Sequence, residues 1–299
     1  MIRSVLLGLA AAAITSFATA EPIPVILKDG ASWTLKVEHS RQTQQPDRSD
    51  AWTVVTTSRL DWRALPNGGG RLTVTPLSAI PSPDSPPEVA KAAALDVSVV
   101  LEVDAALTPT EVVNMEALRA AFGRMTGTLN ASAASPLSDL ADAAITTLAT
   151  QDIARLALAQ DSDLKIGKAV AYEDESPNPL GGPPIKGIGE VRLESVNRKA
   201  GVAVIGWRYE FDPQSAATSV ATSLQLMLAK VPDAKKQEAA KVFASLSVER
   251  HEVCSYQVSL STGLVMLARC EAEVVSTAAS QTRKRMDRWL FTQTAPEPR

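Results

Sequence analysis

Cys254 and Cys270 are the residues whose type and spacing point most directly to chemistry. They are not a C-x-x-C pair, which argues against a redox-active dithiol, and nearby His251 has no further ligands to complete a metal site. The segment VCSYQVSLSTGLVMLARC alternates apolar and polar residues around Ser261-Thr262-Gly263, read as a three-residue hairpin loop with Gly263 in the left-handed position. That register pairs Leu260 with Leu264, Val258 with Met266, Tyr256 with Ala268, and Cys254 with Cys270 on one face. Directly opposed Cβ atoms lie ~4.5–5.5 Å apart and a disulfide needs ~3.5–4.5 Å, so a bridge forms if the pair is the closer, non-hydrogen-bonded kind. A structural disulfide is therefore expected, with two buried free thiols as the alternative.

Other chemistry is sparse. The chain has no G-x-S-x-G, H-E-x-x-H, Walker loop or C-x-x-C. Lys186-Gly187-Ile188-Gly189 matches half of a dinucleotide loop, but Arg192 stands where the third glycine belongs, so a glycine-rich lead-in to a strand is expected. His39 and His251 are the only histidines, and neither has partners that the sequence nominates. Glu173-Asp174-Glu175 lacks the ligand spacing of an EF-hand loop and reads as a solvated acidic run. Arg283-Lys284-Arg285 with Arg288 reads as charge that protects a strand edge. No catalytic residue, metal site or cofactor is assigned.

The elements that would carry these residues follow from periodicity. Trp33, Leu35 and Val37 alternate with polar residues, and Trp52, Val54, Leu60 and Trp62 share one face of the next strand. A turn at Pro66–Gly70 leads to a strand over Arg71–Thr75, and the prolines of Pro76–Pro87 predict an extended loop. Asp96–Val103 is another strand. Thr108-Pro109-Thr110-Glu111 resembles a capping box opening a helix through Val112, Met115, Leu118, Phe122 and Met125; a strand over Glu111–Asn114 with Asn114 as cap fits almost as well. A second helical stretch runs from Ser135-Pro136 to about Gln160.

Strands return from Asp163. A second Pro/Gly loop spans Pro177–Pro184, and Ile188–Val196 and Val202–Phe211 form a hairpin. Val220, Leu224, Met227, Leu228 and Val231 then form an apolar helical stripe, and Pro232-Asp233 restarts a helix ending near Leu246. The cysteine hairpin and a strand through Trp289-Leu290-Phe291 complete the order. Strands and helices come in blocks, not in the alternation of a parallel doubly wound sheet. The expectation is an α+β fold: a largely antiparallel, curved or half-barrel sheet with helical segments on one face. Residues 21–160 are read as an N-terminal β-then-α lobe and residues 161–299 as a C-terminal β-α-β lobe carrying the cysteine hairpin; the two β-then-α blocks suggest lobes of related shape, without a residue-level repeat.

The first twenty residues read as a secretory signal. Arg3 supplies the positive start, Val5–Phe17 the apolar stretch, and Ala18-Thr19-Ala20 the small-x-small cleavage pattern, so cleavage after Ala20 into the periplasm or medium is expected. No later stretch approaches the ~20 apolar residues of a spanning helix. Loss of Arg3 takes Lys+Arg from 30 to 29 against 33 Asp+Glu, a formal charge of 29 − 33 = −4. That balance argues against nucleic acid or anionic lipid surfaces as the main partner. Aromatics are only 4% of the chain, so the core must rely on Leu, Val and Ala.

These readings converge on a non-catalytic exported protein that binds an apolar small molecule, a lipid-modified partner or another envelope protein. The helix from Val220 carries an apolar stripe opposite only Ser, Thr and Gln, which suits lying across a sheet. In architecture the chain resembles the half-barrel carriers of bacterial lipoproteins, without a shared motif. The candidate apolar ligand face is Trp33, Trp52, Trp207, Leu224 and Met227, with packing into the core as the alternative role for the tryptophans. Two other classes stay open: a hydrolase, which requires a polar cleft with converging groups, and a structural subunit, which requires an exposed apolar patch.

Overall fold

The computed structural model describes residues 21–66, 68–87, 89–90, 96–129, 142–160, 163–176, 183–228, 246–278 and 281–297. The expected leader (1–20), most of the loop from Pro177, the helix expected from Pro232 and the start of the helix expected from Ser135 lie outside these residues.

The chain opens with a short β1 (Glu21–Pro22), then β2 (Ser32–Gln44), β3 (Ser49–Ala64), β4 (Gly70–Pro81), β5 (Val99–Val103) and β6 (Pro109–Val112). Two helices follow, α1 (Met115–Leu129) and α2 (Asp142–Ala157). The second half runs β7 (Asp163–Leu164), β8 (Ala169–Ser176), β9 (Ile185–Asn197), β10 (Val202–Phe211), α3 (Pro213–Leu228), β11 (Ser247–Ser259), β12 (Val265–Ala278) and β13 (Gln281–Gln293).

Eleven strands form one curved, unclosed antiparallel sheet in the order β6-β5-β4-β3-β2-β13-β12-β11-β10-β9-β8, while β1 pairs with β7 separately. Neighbours in the sheet are mostly neighbours in sequence. The exception is the seam where β2 pairs with β13, Leu35↔Gln293 through Gln44↔Lys284. The α+β class stands, but the sheet dominates it more than the sequence reading implied.

One face of the sheet is covered by helix and carries the core. A buried row crosses it as Leu193, Ile205, Tyr256, Ala268, Phe291 and Val37, set opposite one another by strand register. Helix α2 presents Ile145, Ile153 and Leu156 to this core, at the helical spacing an amphipathic element needs. The Tyr256 hydroxyl donates to the Arg155 carbonyl at 3.1 Å, tying the helix's last turn to the sheet. Helix α3 buries Ala216, Val220 and Leu224 and packs against β9 and β11.

Three local expectations are corrected. The segment before α1 takes the strand alternative and not the capping box: β6 spans Pro109–Val112, and Asn114 stands just before the helix with its carbonyl accepting the Leu118 N–H at 3.2 Å, but its side chain goes to Val100 N–H (2.9 Å) and Ser98 C=O (2.7 Å). The strand expected to end at Thr75 continues to Pro81. Pro76 is tolerated because β5 pairs with β4 only over Gly70–Val74, and a bulge between Thr57 and Ser58 opens the other side. In the cysteine hairpin, Val258 pairs with Val265 rather than Met266, because a register shift beside Gln257 inserts one extra residue. The expected Leu260–Leu264 pair is displaced with it, Ser259 N–H donating to the Leu264 carbonyl at 2.9 Å, while Tyr256↔Ala268 and Cys254↔Cys270 are as expected.

Candidate functional site

The strand register builds the site. One inner-face row aligns Trp207, Cys254, Cys270, Trp289, His39 and Val54 across six strands. The next row aligns Tyr172, Gly189, Tyr209, Glu252, Ala272, Asp287, Arg41 and Trp52 across eight. The core is thus bordered by a disulfide-and-aromatic row and then by a row in which charges appear.

Cys254 and Cys270 form the expected disulfide, with Cα atoms 4.1 Å apart as befits a closely spaced non-hydrogen-bonded pair. Gly263 has φ 69°, the left-handed conformation that the turn requires.

At the β8–β11 end lies a cavity of about 220 Å³ lined by Ala154, Arg155 and Leu158 from the helix side and by Tyr172, Trp207, Tyr209, Arg250 and Glu252 from the sheet. The aromatic wall is held tightly. Trp207 stacks on Tyr209 at 5.9 Å, its indole N–H donates to the Tyr172 hydroxyl at 2.6 Å, and the Ser176 and Tyr209 hydroxyls are 3.1 Å apart. Burial pushes both tyrosine hydroxyls to higher pKa. The glycines of the dinucleotide-like segment explain how the rings fit. A Cβ on Gly187 would lie 2.2 Å from Tyr209 Oη, and one on Gly189 would lie 2.2 Å from Tyr172 Cζ. The segment is a ring platform in a strand, and no phosphate loop forms.

The electrostatics centre on Glu252, which is 3% exposed. One of its oxygens accepts from Arg155 Nε at 3.0 Å and the other from Arg250 Nη2. The Arg155 guanidinium also lies 4.0 Å over the Trp289 ring. Two strands away, Asp287 meets His39 Nε2 (3.0 Å), Arg41 Nε (2.6 Å) and Arg285 Nε (2.8 Å). Burial alone would raise the Asp287 carboxyl, but the His39 and Arg41 hydrogen bonds and the Arg41 and Arg285 charges outweigh it and bring the pKa down to about 2. His39 stacks on Trp289 (4.7 Å) and meets the edge of Trp52 (5.0 Å). An Asp-oriented imidazole is half of a nucleophile-activating arrangement, but no serine hydroxyl is recorded within its hydrogen-bond reach among the described residues. His251 is exposed and pairs with Glu210 at 3.6 Å. No group of three His, Cys, Asp or Glu among the described residues could hold a metal.

Of the candidate apolar face, Trp207 lines the cavity, and Trp33 and Trp52 share its sheet face at a distance along it. Trp33 is core, its indole N–H donating to Gln293, and Trp52 is half-buried under Arg41. Leu224 is buried in α3, and the side chain of Met227 lies outside the described residues. Tyr172, Arg155 and Arg250 escaped the sequence reading, which placed Tyr209 on a buried strand face and Glu252 at the start of the cysteine hairpin without reading either as a site residue. The alternation of β10 puts Tyr209 on Trp207's face, and that of β11 puts Arg250 and Glu252 on the face of Cys254 and Tyr256, so both strands carried a signal.

Larger recesses lie on the opposite face. One of about 640 Å³ is bordered by Glu38, Arg269, Glu271 and Arg288, with Arg288 paired to Glu271 at 2.7 Å. The inner cavity is smaller, but the side chains that line it hold one another in place, so we take it as the site. Glu173, Asp174 and Glu175 lie on edge strand β8, where charge opposes pairing with another chain.

No protein-family model matches the chain, and no curated protein matches it. Among solved structures, one described as lipid–protein interactions in lipovitellin is similar over 91% of this chain, at 10% identity and TM-score 0.48. This chain spans 26% of that one, about a quarter of its length. A Vibrio parahaemolyticus domain described by outer membrane lipoprotein sorting is similar over 88% of this chain and 84% of its own, at 9% identity and TM-score 0.20. Pseudomonas aeruginosa OccK5 (OpdH) is similar over 91% and 99%, at 10% identity and TM-score 0.26. At these values none establishes a family. No helix among the described residues is long and apolar enough to cross a membrane.

Proposed function

We propose that the chain is an exported, non-catalytic binding protein of the cell envelope that holds an apolar or lipid ligand against the inner face of its sheet. The observation that carries this reading is the cavity beside α2, where Tyr172, Trp207 and Tyr209 form an aromatic wall. Leu158 at its margin and Val170, two residues from Tyr172 on the same strand face, remain exposed. Apolar side chains left open beside an ordered aromatic wall suit contact with an apolar molecule. The one buried carboxylate of the lining is committed, with both Glu252 oxygens taken by arginines, which suits holding a ligand better than moving protons. The leader at residues 1–20 and the Cys254–Cys270 bridge support an oxidising compartment, with the mature chain beginning at Glu21.

The test is native mass spectrometry of protein purified from the envelope of a producing bacterium, followed by solvent extraction. A co-purifying lipid or other apolar molecule, lost on replacing Trp207 with Ala, is the expected result. A ligand-free protein that also fails to bind added amphiphiles overturns the reading, and a stoichiometric partner chain replaces it with a structural-subunit role.

A further inference from the structure

We infer that the inner-face cavity recognises an anionic head group, a carboxylate or phosphate, on the amphiphile it binds, with Arg250 and Arg155 as the donors. This rests on the binding reading above and specifies its ligand.

The argument begins with charge. Arg155, Glu252 and Arg250 form a triad whose side chains are 12%, 3% and 29% exposed. Guanidinium groups do not lose their protons in proteins, so one carboxylate between two arginines leaves a net positive charge in a largely dry place. Hydrogen-bond supply points the same way. Arg155 Nη1 and Arg250 Nε are buried and have no hydrogen-bond partner among the described residues. Buried donors in folded proteins are nearly always paired, and two orphans on two cavity-lining arginines mark a place where an acceptor belongs.

Other carboxylates nearby do not fill that role. Asp174 lines the cavity, but it is exposed and its Oδ1 accepts the Glu175 N–H at 2.8 Å. Asp152, just before Arg155 on α2, is destabilised as an anion by burial, which outweighs the opposing charges of Arg155 and His39. The neighbouring cluster adds positive potential. Asp287, two strands from Glu252 and so about 10 Å away, is likewise shared by two arginines, Arg41 and Arg285.

Size and shape narrow the ligand. A cavity of about 220 Å³ falls below the ~300 Å³ at which sites enclose whole drug-sized ligands. It therefore takes a head group and the first part of a chain, while the rest of the tail runs past Leu158 and Val170. A planar guanidinium matches both a carboxylate and a phosphate, so the shared chemistry is an oxyanion on an apolar tail.

The test is isothermal titration of the purified exported protein with dodecanoate, dodecyl phosphate and dodecanol, the two anions below their micelle concentrations and the alcohol below its solubility limit, and with acetate and inorganic phosphate. The anionic amphiphiles are expected to bind about tenfold or more tighter than dodecanol, the effect of hydrogen bonds to a charged group. Whichever of dodecanoate and dodecyl phosphate binds tighter identifies the head group. Arg250→Gln should abolish the preference, and Arg250→Lys should keep part of it. Arg208→Gln, at an exposed arginine paired with Glu190, should leave it unchanged. Should Arg250→Gln fail to fold, judged by its circular dichroism melt, the wild-type head-group comparison decides alone. Equal affinity for dodecanol and the two anions overturns the head-group inference and leaves the apolar-ligand reading standing. Binding of acetate or phosphate as tight as the matching amphiphile keeps the anion site but overturns the apolar reading. Binding of none of the five overturns both.

Discussion

At the scale of single residues, the inner face is governed by two carboxylates that each serve two arginines. Glu252 is buried between Arg155 and Arg250, so Glu252→Gln would leave two facing cations without their counter-charge. The expected cost is about 3 kcal/mol, read as a shift in the midpoint of urea unfolding, because breaking a buried pair strands the remaining charge. Asp287 behaves differently, because its folded pKa of about 2 lies below the ~3.9 of an unfolded aspartate. The native state therefore binds fewer protons, and the stabilisation is present above about pH 4 and lost as pH falls towards 2. Acid titration of stability should show that loss in the parent protein and not in Asp287→Asn. Gly189 is the third critical point. Gly189→Ala forces the Tyr172 ring aside and breaks its bond from Trp207, so tryptophan fluorescence should shift and stability should fall by roughly 1–3 kcal/mol.

At the scale of elements, the β11–β12 hairpin shows how a short stretch carries its own instructions. The turn and the one-residue shift beside Gln257 together set the register, the register sets Cys254 opposite Cys270, and the bridge holds the two strands together under Tyr256. Reducing it is expected to lower stability by about 3 kcal/mol in the chain-entropy account. Denaturation curves with and without reductant check this, and coincident curves would remove the bridge from the list of stabilising features. Helix α2 works at the same scale. Its apolar stripe docks on the core row, and that docking carries Arg155 to Glu252, on a strand 97 residues away in sequence. The site's cation on the helix side is therefore positioned by packing, not by the strands around the cavity.

At the scale of the molecule, both halves of the chain share one sheet, joined where β2 meets β13. Phe291 lies on that seam, fully buried and opposite Val37. Phe291→Ala is expected to cost about 3–5 kcal/mol through the cavity it leaves. Because the sheet is continuous, the expected unfolding curve is a single transition in both forms. Two separate transitions by circular dichroism and tryptophan fluorescence would show that the halves fold independently.

Much of this was legible in the chain because it depends on residues close in sequence. Alternation marked β2, β3, β10 and the cysteine hairpin, since a strand with one buried face must show period two. Helical spacing marked the stripe of α3 in the same way. The errors arose where a local pattern is satisfied by distant partners. Pro76 stayed in a strand because its neighbours in the sheet ask nothing of its missing N–H, and Asn114 turns its side chain to β5 instead of capping α1 with it. The candidate site was least legible. Trp207 could be placed on a buried face from its own strand, but Tyr172, Arg155, Arg250 and Glu252 meet around it only through the order of β8 to β11 and the docking of α2. Sequence by itself determined which residues turn inward, because that is a matter of period along one strand. Only the tertiary structure decided which inward residues meet, because strand order and helix docking depend on contacts between segments far apart in the chain.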